Sequence, residues 1–477
     1  MDEFRYGVMI NLRCGFAYPE KYLIVKNNNV ENESVIYRMV KLALPIMGMS
    51  VFQLVYNFTD MVWVGKIGSP AVTAIGTVGF LIGMCLAIAS MVNSGTGVKV
   101  SHAVGAEDRR LAGEYITVGM AGMALIGLAS AAGLYLFPDE LIGFFGLRDQ
   151  SVVEMAYGYL SLALWGIPLS LSNILFTSAF NSHGLTKVSF KINVVGTVLN
   201  LLLDPLLIFQ FGMGVKGAAL ATVLSHGIVF LGFVFRVANK KEVPFCGYGN
   251  LLGKVPAILK LGVPIGVQRI TFMSVSVLLA KIIVEWGDTG IAVQKIGVQL
   301  EALTYMAIWG LMSAISILIG QSYGAKDFGK VRETYVAGLK LAGVISFFSS
   351  AMFIIFPGFL FRIFVSEPES VAMGADYLRI LGVSQLFMSV EYTSAGAFNA
   401  LGKSYINATV SVIFTVARLP LAIFLSQNMG WGLNGVWWSI SISSIVKGTT
   451  LLILFFNELK RIEKKGSASA EPATVSL

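Results

Sequence analysis

Two aspartates stand inside apolar runs long enough to cross a lipid bilayer, Asp60 in residues 37–64 and Asp204 in residues 188–211. A carboxylate there is costly, because hydrocarbon offers neither water nor counter-ions. Each aspartate has polar company at helical spacing: Gln53, Tyr56 and Asp60 are three and four apart, and Asn200 and Asp204 are four apart, so each set lines one helical face. Two carboxylates brought together away from water cannot both be charged cheaply, and a proton or sodium ion held between them removes the cost. That is the chemistry of an ion-coupling site, with any Na⁺ at Asp60 and Asp204. A plainer reading stands beside it. Asp60 lies about 28 Å along its helix from Lys41 and could sit at the outer membrane boundary, whereas the apolar stretch 205–209 still follows Asp204.

The second half of the chain carries its own intramembrane charges, Lys281, Glu301, Glu391 and Arg418. An acid in span ten and a base in span eleven either neutralise each other or form a substrate contact or second cation site. Pro45, inside the first span, removes a backbone hydrogen bond and marks a hinge. Residues 397–404 fit a relaxed phosphate-loop pattern, but they close an apolar span where such a loop needs a strand before it. They are read as a helix-ending turn. No zinc motif, nucleophile elbow or paired-aspartate prenyl-diphosphate motif occurs, so neither an enzyme nor a cofactor is expected.

The elements that must position these residues are membrane helices. The 477 residues are 55% hydrophobic and 13% charged, with a mean hydropathy of +0.74, which excludes an ordinary soluble domain. Twelve spans are predicted, at 37–64, 70–97, 115–136, 152–180, 188–211, 215–236, 256–285, 291–319, 335–360, 371–398, 405–428 and 431–456. The net charge of +8 follows topology: the even-numbered loops hold fourteen Lys and Arg, Arg109, Arg110, Lys254 and Lys403 among them, and the odd ones little beyond Lys66, Arg148, Lys216 and Arg362. That asymmetry predicts a multi-pass protein of the cytoplasmic membrane with both termini in the cytoplasm, and it accounts for the charge without nucleic acid.

The chain is also written twice. Lys41-Leu-Ala-Leu-Pro45 matches Lys260-Leu-Gly-Val-Pro264, and Gly105-Ala-Glu-Asp108 matches Gly324-Ala-Lys-Asp327, each 219 residues on. After a one-residue adjustment Tyr159 matches Tyr377, and Gly214-Val-Lys-Gly217 matches Gly432-Leu-Asn-Gly435, at 218. In this register Glu391 takes the place of Asn173, and Arg418 that of Asn200. Six spans per copy give both copies one orientation. The expected fold is therefore an all-α membrane protein, two parallel-repeat six-helix bundles with a central cavity. The expected divisions are a cytosolic tail 1–34, an N-lobe 35–236, a cytosolic linker 237–255, a C-lobe 256–457 and a cytosolic tail 458–477.

The repeated openings at Lys41 and Lys260, the string DMVWVGKIG from Asp60, Asn200-Leu-Leu-Leu-Asp204-Pro205 and the following GVKGAALAT together resemble the multidrug and toxic compound extrusion (MATE) family over about residues 35 to 456. Within it the chain resembles the DinF-like branch. The resemblance implies an antiporter that exports amphipathic, often cationic drugs and toxic organic compounds by alternating access against H⁺ or Na⁺. Asp60 and Asp204 would be the central acids, with Gln53, Tyr56, Asn200 and Thr222 around them. The NorM-like branch relies on acids of the second half, one in span seven. Span seven here offers Ser274 and Ser276 instead, a departure, while Glu391 keeps a second-half site open. The alternative is a lipid-linked precursor flippase of the same superfamily, which needs a cationic cavity wall; Arg269, Lys281 and Arg418 are its candidates. Expected partners are small amphipathic substrates and membrane lipids, and the protein is expected to be a monomer. Residues 1–33 are longer than the family's usual start, which suggests a misassigned start codon.

Overall fold

The computed structural model describes residues 34–240, 242–246 and 250–470. The expectations for residues 1–33 fall outside them. Among the described residues there is helix and loop but no strand. Twelve long helices follow in order: α1 Val35–Ile67, α2 Ser69–Gly105, α3 Arg109–Leu136, α4 Gln150–Ser182, α5 Thr186–Pro205, α6 Val215–Lys240, α7 Val255–Val284, α8 Asp288–Gly324, α9 Phe328–Ile355, α10 Pro368–Ala400, α11 Ser404–Val416 and α12 Leu433–Ala470. Short helices Pro138–Gly143 and Pro357–Arg362 precede α4 and α10. Eleven of the long helices, α5 and α11 counted with the turns that extend them, are long and apolar enough to cross a membrane. The twelfth, α10, is as long, but carries Asp376, Arg379 and Glu391.

The repeat seen in the letters recurs as geometry. After α2 and α8 the chain turns through Glu107 and Lys326, both at φ 59°. Asp108 and Asp327 then cap the next helices by accepting from the Leu111 and Lys330 N–H groups. Beyond Asp204, α5 widens into a π-helical turn, Leu206–Gln210, and α11, after Arg418–Ile423, does the same at Phe424–Asn428. Both wide turns lie against a glycine. A Cβ on Gly217 would stand 2.7 Å from the Leu207 carbonyl carbon, and one on Gly435 2.6 Å from that of Leu425, so only glycine fits. The 397–404 segment closes α10 as a helix-ending turn, with Gly402 at φ 74° and the Lys403 ammonium on Glu458.

The helices gather into two compact units, one built on Gly48–Gly262, the other on Val263 onward together with α1 through Met47. The division passes through α1 just beyond Pro45 and through α7 just before Pro264, rather than through 237–255. The close approaches inside each unit explain it. In the first, a Cβ on Gly262 would run into the Met91 backbone of α2; in the second, one on Gly310 of α8 would run into Met47 of α1.

In the first unit α4 is central, with Phe176 stacked on Phe233 of α6 at 5.4 Å between ring centres. The segment after α6 is held to this unit: Arg236 donates twice to Glu242 at 2.9 Å, and Lys254 meets Glu114 of α3 at 3.1 Å. In the second unit α10 is central, and Phe398 and Tyr335 close on Phe455 of α12. Helix α12 continues through 458–470, where a tail was expected, because Leu459 and Ile462 are buried and Glu458 pairs with Lys403.

Candidate functional site

The first unit brings five of the six expected site residues together. Asp204, at the end of α5, has no exposed surface, and Asn200 one turn earlier has 1%. Turned to satisfy both ends, the Asn200 amide donates to Asp204 Oδ2 at 2.9 Å and accepts from the Thr222 N–H of α6 at 3.3 Å. The Thr222 hydroxyl gives its proton to the Ala218 carbonyl at 3.1 Å, which leaves its oxygen to accept from the Tyr56 hydroxyl of α1 at 3.4 Å. Asp60, one turn beyond Tyr56, is half-buried and lies within electrostatic reach of Asp204. Among the described residues no Lys or Arg forms an ion pair with either aspartate.

The sixth residue is placed differently. Gln53 is exposed and donates to Asn57 at 3.0 Å, one turn along its own helix. Shared helical spacing put it on the Tyr56 face, but a nearer partner holds it. Tyr159 of α4 was not anticipated: its phenol is in the field of Tyr56, Asp60 and Asp204 together. In the sequence it reads as one aromatic among many, and only its match to Tyr377 singled it out.

On the far side of Asp60, α1 continues into an apolar cluster. Val64, Ala71, Ile208, Val215 and Ala218 are its buried members, with Trp63, Ile67, Met155 and Tyr159 packed on it. Trp63 meets Phe209 edge to face at 6.0 Å, and Lys66 lies 4.3 Å over the Trp63 ring. This apolar plug follows Asp60 along α1 and Asp204 along the wide turn Leu206–Gln210. Among the described residues no group of three or more His, Cys, Asp or Glu could hold a metal ion. A cation at this site would take oxygen donors from Asp60, Asp204, Tyr56, Thr222 and Asn200.

The second unit is built on a different charge plan. Glu301 of α8 accepts from the hydroxyls of Tyr305 and of Tyr377, each at 2.7 Å, with Tyr377 coming from α10. Glu391 of α10 pairs at 2.7 Å with Lys447 of α12, their side chains 9% and 5% exposed. Its partner is thus Lys447 and not Arg418, as the neighbouring spans had suggested. Arg418 donates to the hydroxyls of Ser443 and Ser444 and lies in the field of Glu301. Lys281 is exposed in the last turn of α7 and takes no part in this network, and Arg269 is exposed as well. Lys447 lies nine residues inside the predicted span 431–456, a depth at which its charge was itself a signal that sequence reading missed.

One histidine is buried. His183, just beyond α4, donates from Nδ1 to the Ala179 carbonyl at 2.7 Å, and burial pushes its imidazole down to about 4. The Asn173 amide donates to the His226 carbonyl of α6 at 2.9 Å.

Comparison with known proteins agrees with this architecture. The "Probable multidrug resistance protein NorM" of Thermotoga maritima is 28% identical over 91% of this chain and 96% of its own length. The "Multidrug export protein MepA" of Staphylococcus aureus is 22% identical over 89% and 94%. A solved structure described as MATE in the bent conformation superposes with a TM-score of 0.86 at 21% identity, covering 94% of this chain and 99% of its own. The MatE family model matches twice, at residues 45–206 and 264–424, one match on each copy of the internal repeat, and the chain belongs to that family.

Proposed function

We propose that this protein is a cation-coupled antiporter of the cytoplasmic membrane that exports amphipathic, often cationic organic compounds by alternating access. The observation that carries the reading is the pair Asp60 and Asp204, within electrostatic reach of each other, with Asp204 at the end of a neutral hydrogen-bonded chain through Asn200, Thr222 and Tyr56 and no basic partner for either among the described residues. A buried carboxylate pair with no fixed counter-charge is completed by a mobile one, H⁺ or Na⁺. The relatives' names, multidrug resistance and multidrug export, support the substrate class.

In this cycle, binding of the cation from outside neutralises Asp60 and Asp204 and lets α1 rearrange about Pro45, which releases substrate outward. Loss of the cation toward the cytoplasm restores the starting arrangement. The division of α1 between the two units just beyond Pro45 supports a hinge at that place. Each elementary charge moved through 100 mV contributes about 2.3 kcal/mol, enough for a useful gradient without ATP. Termini on the cytoplasmic side follow from the charge of the loops.

A lipid-linked precursor flippase would need cations around its substrate's diphosphate. Lys447 is committed to Glu391, and among the described residues the first unit's site has no Lys or Arg partner. The test is efflux of a cationic dye from vesicles under an imposed pH gradient and, separately, a sodium gradient. Efflux under one of them supports the reading and names the ion. No efflux under either, with a lipid-linked diphosphate translocated instead, would overturn it.

A further inference from the structure

We propose that the coupling cation reaches Asp60 and Asp204 from outside through a groove at the outer end of the first unit, with Met155 as the side chain that moves aside to admit it. The inference rests on the reading of those two aspartates as the coupling site. The groove has a volume of about 450 Å³ and is formed by the end of α1, the first turns of α4, the loop 212–214 and the start of α6. The groove is open to solvent; its lining is mainly apolar but carries one exposed carboxylate, Glu154, and one ammonium, Lys216. Ile67, Met155 and Val215 line it and are also part of the apolar plug. The groove and the plug therefore share one wall.

Depth along α4 then orders the parts. Tyr159 follows Met155 by four residues, about 6 Å along the helix, and its phenol already feels both aspartates. The proposed path thus runs from the groove past Met155 to Tyr159 and the aspartates. Methionine suits that place: it is unbranched and can swing without moving backbone, so it can pass a proton on water or a small desolvated ion while barring an amphipathic organic molecule. Trp63, in the same apolar cluster, has a buried indole N–H with no partner among the described residues. Water passing through would supply its missing acceptor.

The second unit repeats this plan with other charges. Its groove, about 340 Å³, is lined by Glu369, Met373, Asp376 and Leu433 among others. Met373 stands where Met155 does in the repeat, and it packs on the cluster that contains Tyr377. Tyr377, the match of Tyr159, donates to Glu301. Open groove, methionine, tyrosine and buried acid thus occur in the same order in both units.

The test uses the full chain in vesicles, carrying Met155→Cys and treated from outside with a bulky uncharged methanethiosulfonate; completeness of modification is read by mass. Tryptophan fluorescence is followed after an external pH or Na⁺ jump. Modified protein should respond at least tenfold more slowly than unmodified, with the same midpoint at equilibrium, because the reagent blocks the way and not the site. Wild type treated alike should be unchanged. Val215→Cys, on the same wall, should behave as Met155→Cys does and serves if that variant fails to fold. Full modification at either position with an unchanged rate would overturn the proposal. If instead the Asp60→Asn/Asp204→Asn protein gives the wild-type response, the coupling-site reading itself fails.

Discussion

Replacing Lys447 by Met should destabilise the second unit far more than replacing Lys447 and Glu391 together. Their charged atoms are 2.7 Å apart, and both side chains are almost wholly buried. At an effective dielectric of about 20 the attraction is about 6 kcal/mol, and it is offset by several kcal/mol of lost hydration for each ion. The intact pair therefore nets little. Removing one partner leaves the other charge buried and uncompensated, which costs about 3 to 5 kcal/mol. Lys447→Met and Glu391→Gln should each lose about that much, and the double variant should return to within about 1.5 kcal/mol of wild type, as volume-conserving changes do. Reversible denaturant titration of the purified protein in detergent measures the double-mutant cycle. The double variant should also keep gradient-driven efflux, because the coupling cation is assigned to the first unit. Additive single losses would refute the pairing; a stable double variant without efflux would make Glu391 part of the coupling chemistry.

Three further outcomes follow from named geometry. Gly217→Ala and Gly435→Ala would press a methyl group onto the backbone of a π-helical turn, 2.7 and 2.6 Å away; each should lower stability by about 1 to 3 kcal/mol, seen as reduced thermal stability in detergent, and unchanged stability would show that the turns are free to shift. Gln53→Ala should change stability by no more than about 0.5 kcal/mol and leave efflux at the wild-type rate, since Gln53 is exposed and bonded to Asn57; loss of coupling would restore it to the site. Burial holds His183 at about 4, below its ordinary value of about 6.5. The unfolded chain then binds more protons, so stability present above pH 6.5 should fall as pH drops toward 4. His183→Gln should flatten that slope in acid titrations, and an identical slope would assign it to other groups.

Architecture was legible because apolar run length and an internal repeat are both linear properties of the chain. The repeated openings at Lys41 and Lys260 located matching helices, and the structure adds matching turns at Glu107 and Lys326. The two aspartates were legible for a similar reason: a carboxylate in an apolar run stands out whatever it touches. What spacing could not give was partnership between helices. Helical periodicity placed Gln53 with Tyr56, yet it says nothing of competition from Asn57. Lys447 finds Glu391 across helices that no local pattern joins. Tyr159 was hidden because a tyrosine in a membrane span reads as packing until its neighbours are known. The crossing of α1 and α7 between units depends on backbones meeting at Gly310 and Gly262, a tertiary fact that a list of spans does not contain.

The most direct measurement is dye efflux from vesicles holding equal amounts of wild-type, Asp60→Asn and Asp204→Asn protein, with the gradient imposed after reconstitution. Either substitution, which keeps shape and hydrogen-bonding capacity but removes the charge the ion must meet, should abolish gradient-driven efflux while dye binding at equilibrium persists. Efflux at the wild-type rate from both variants would contradict ion coupling at this pair.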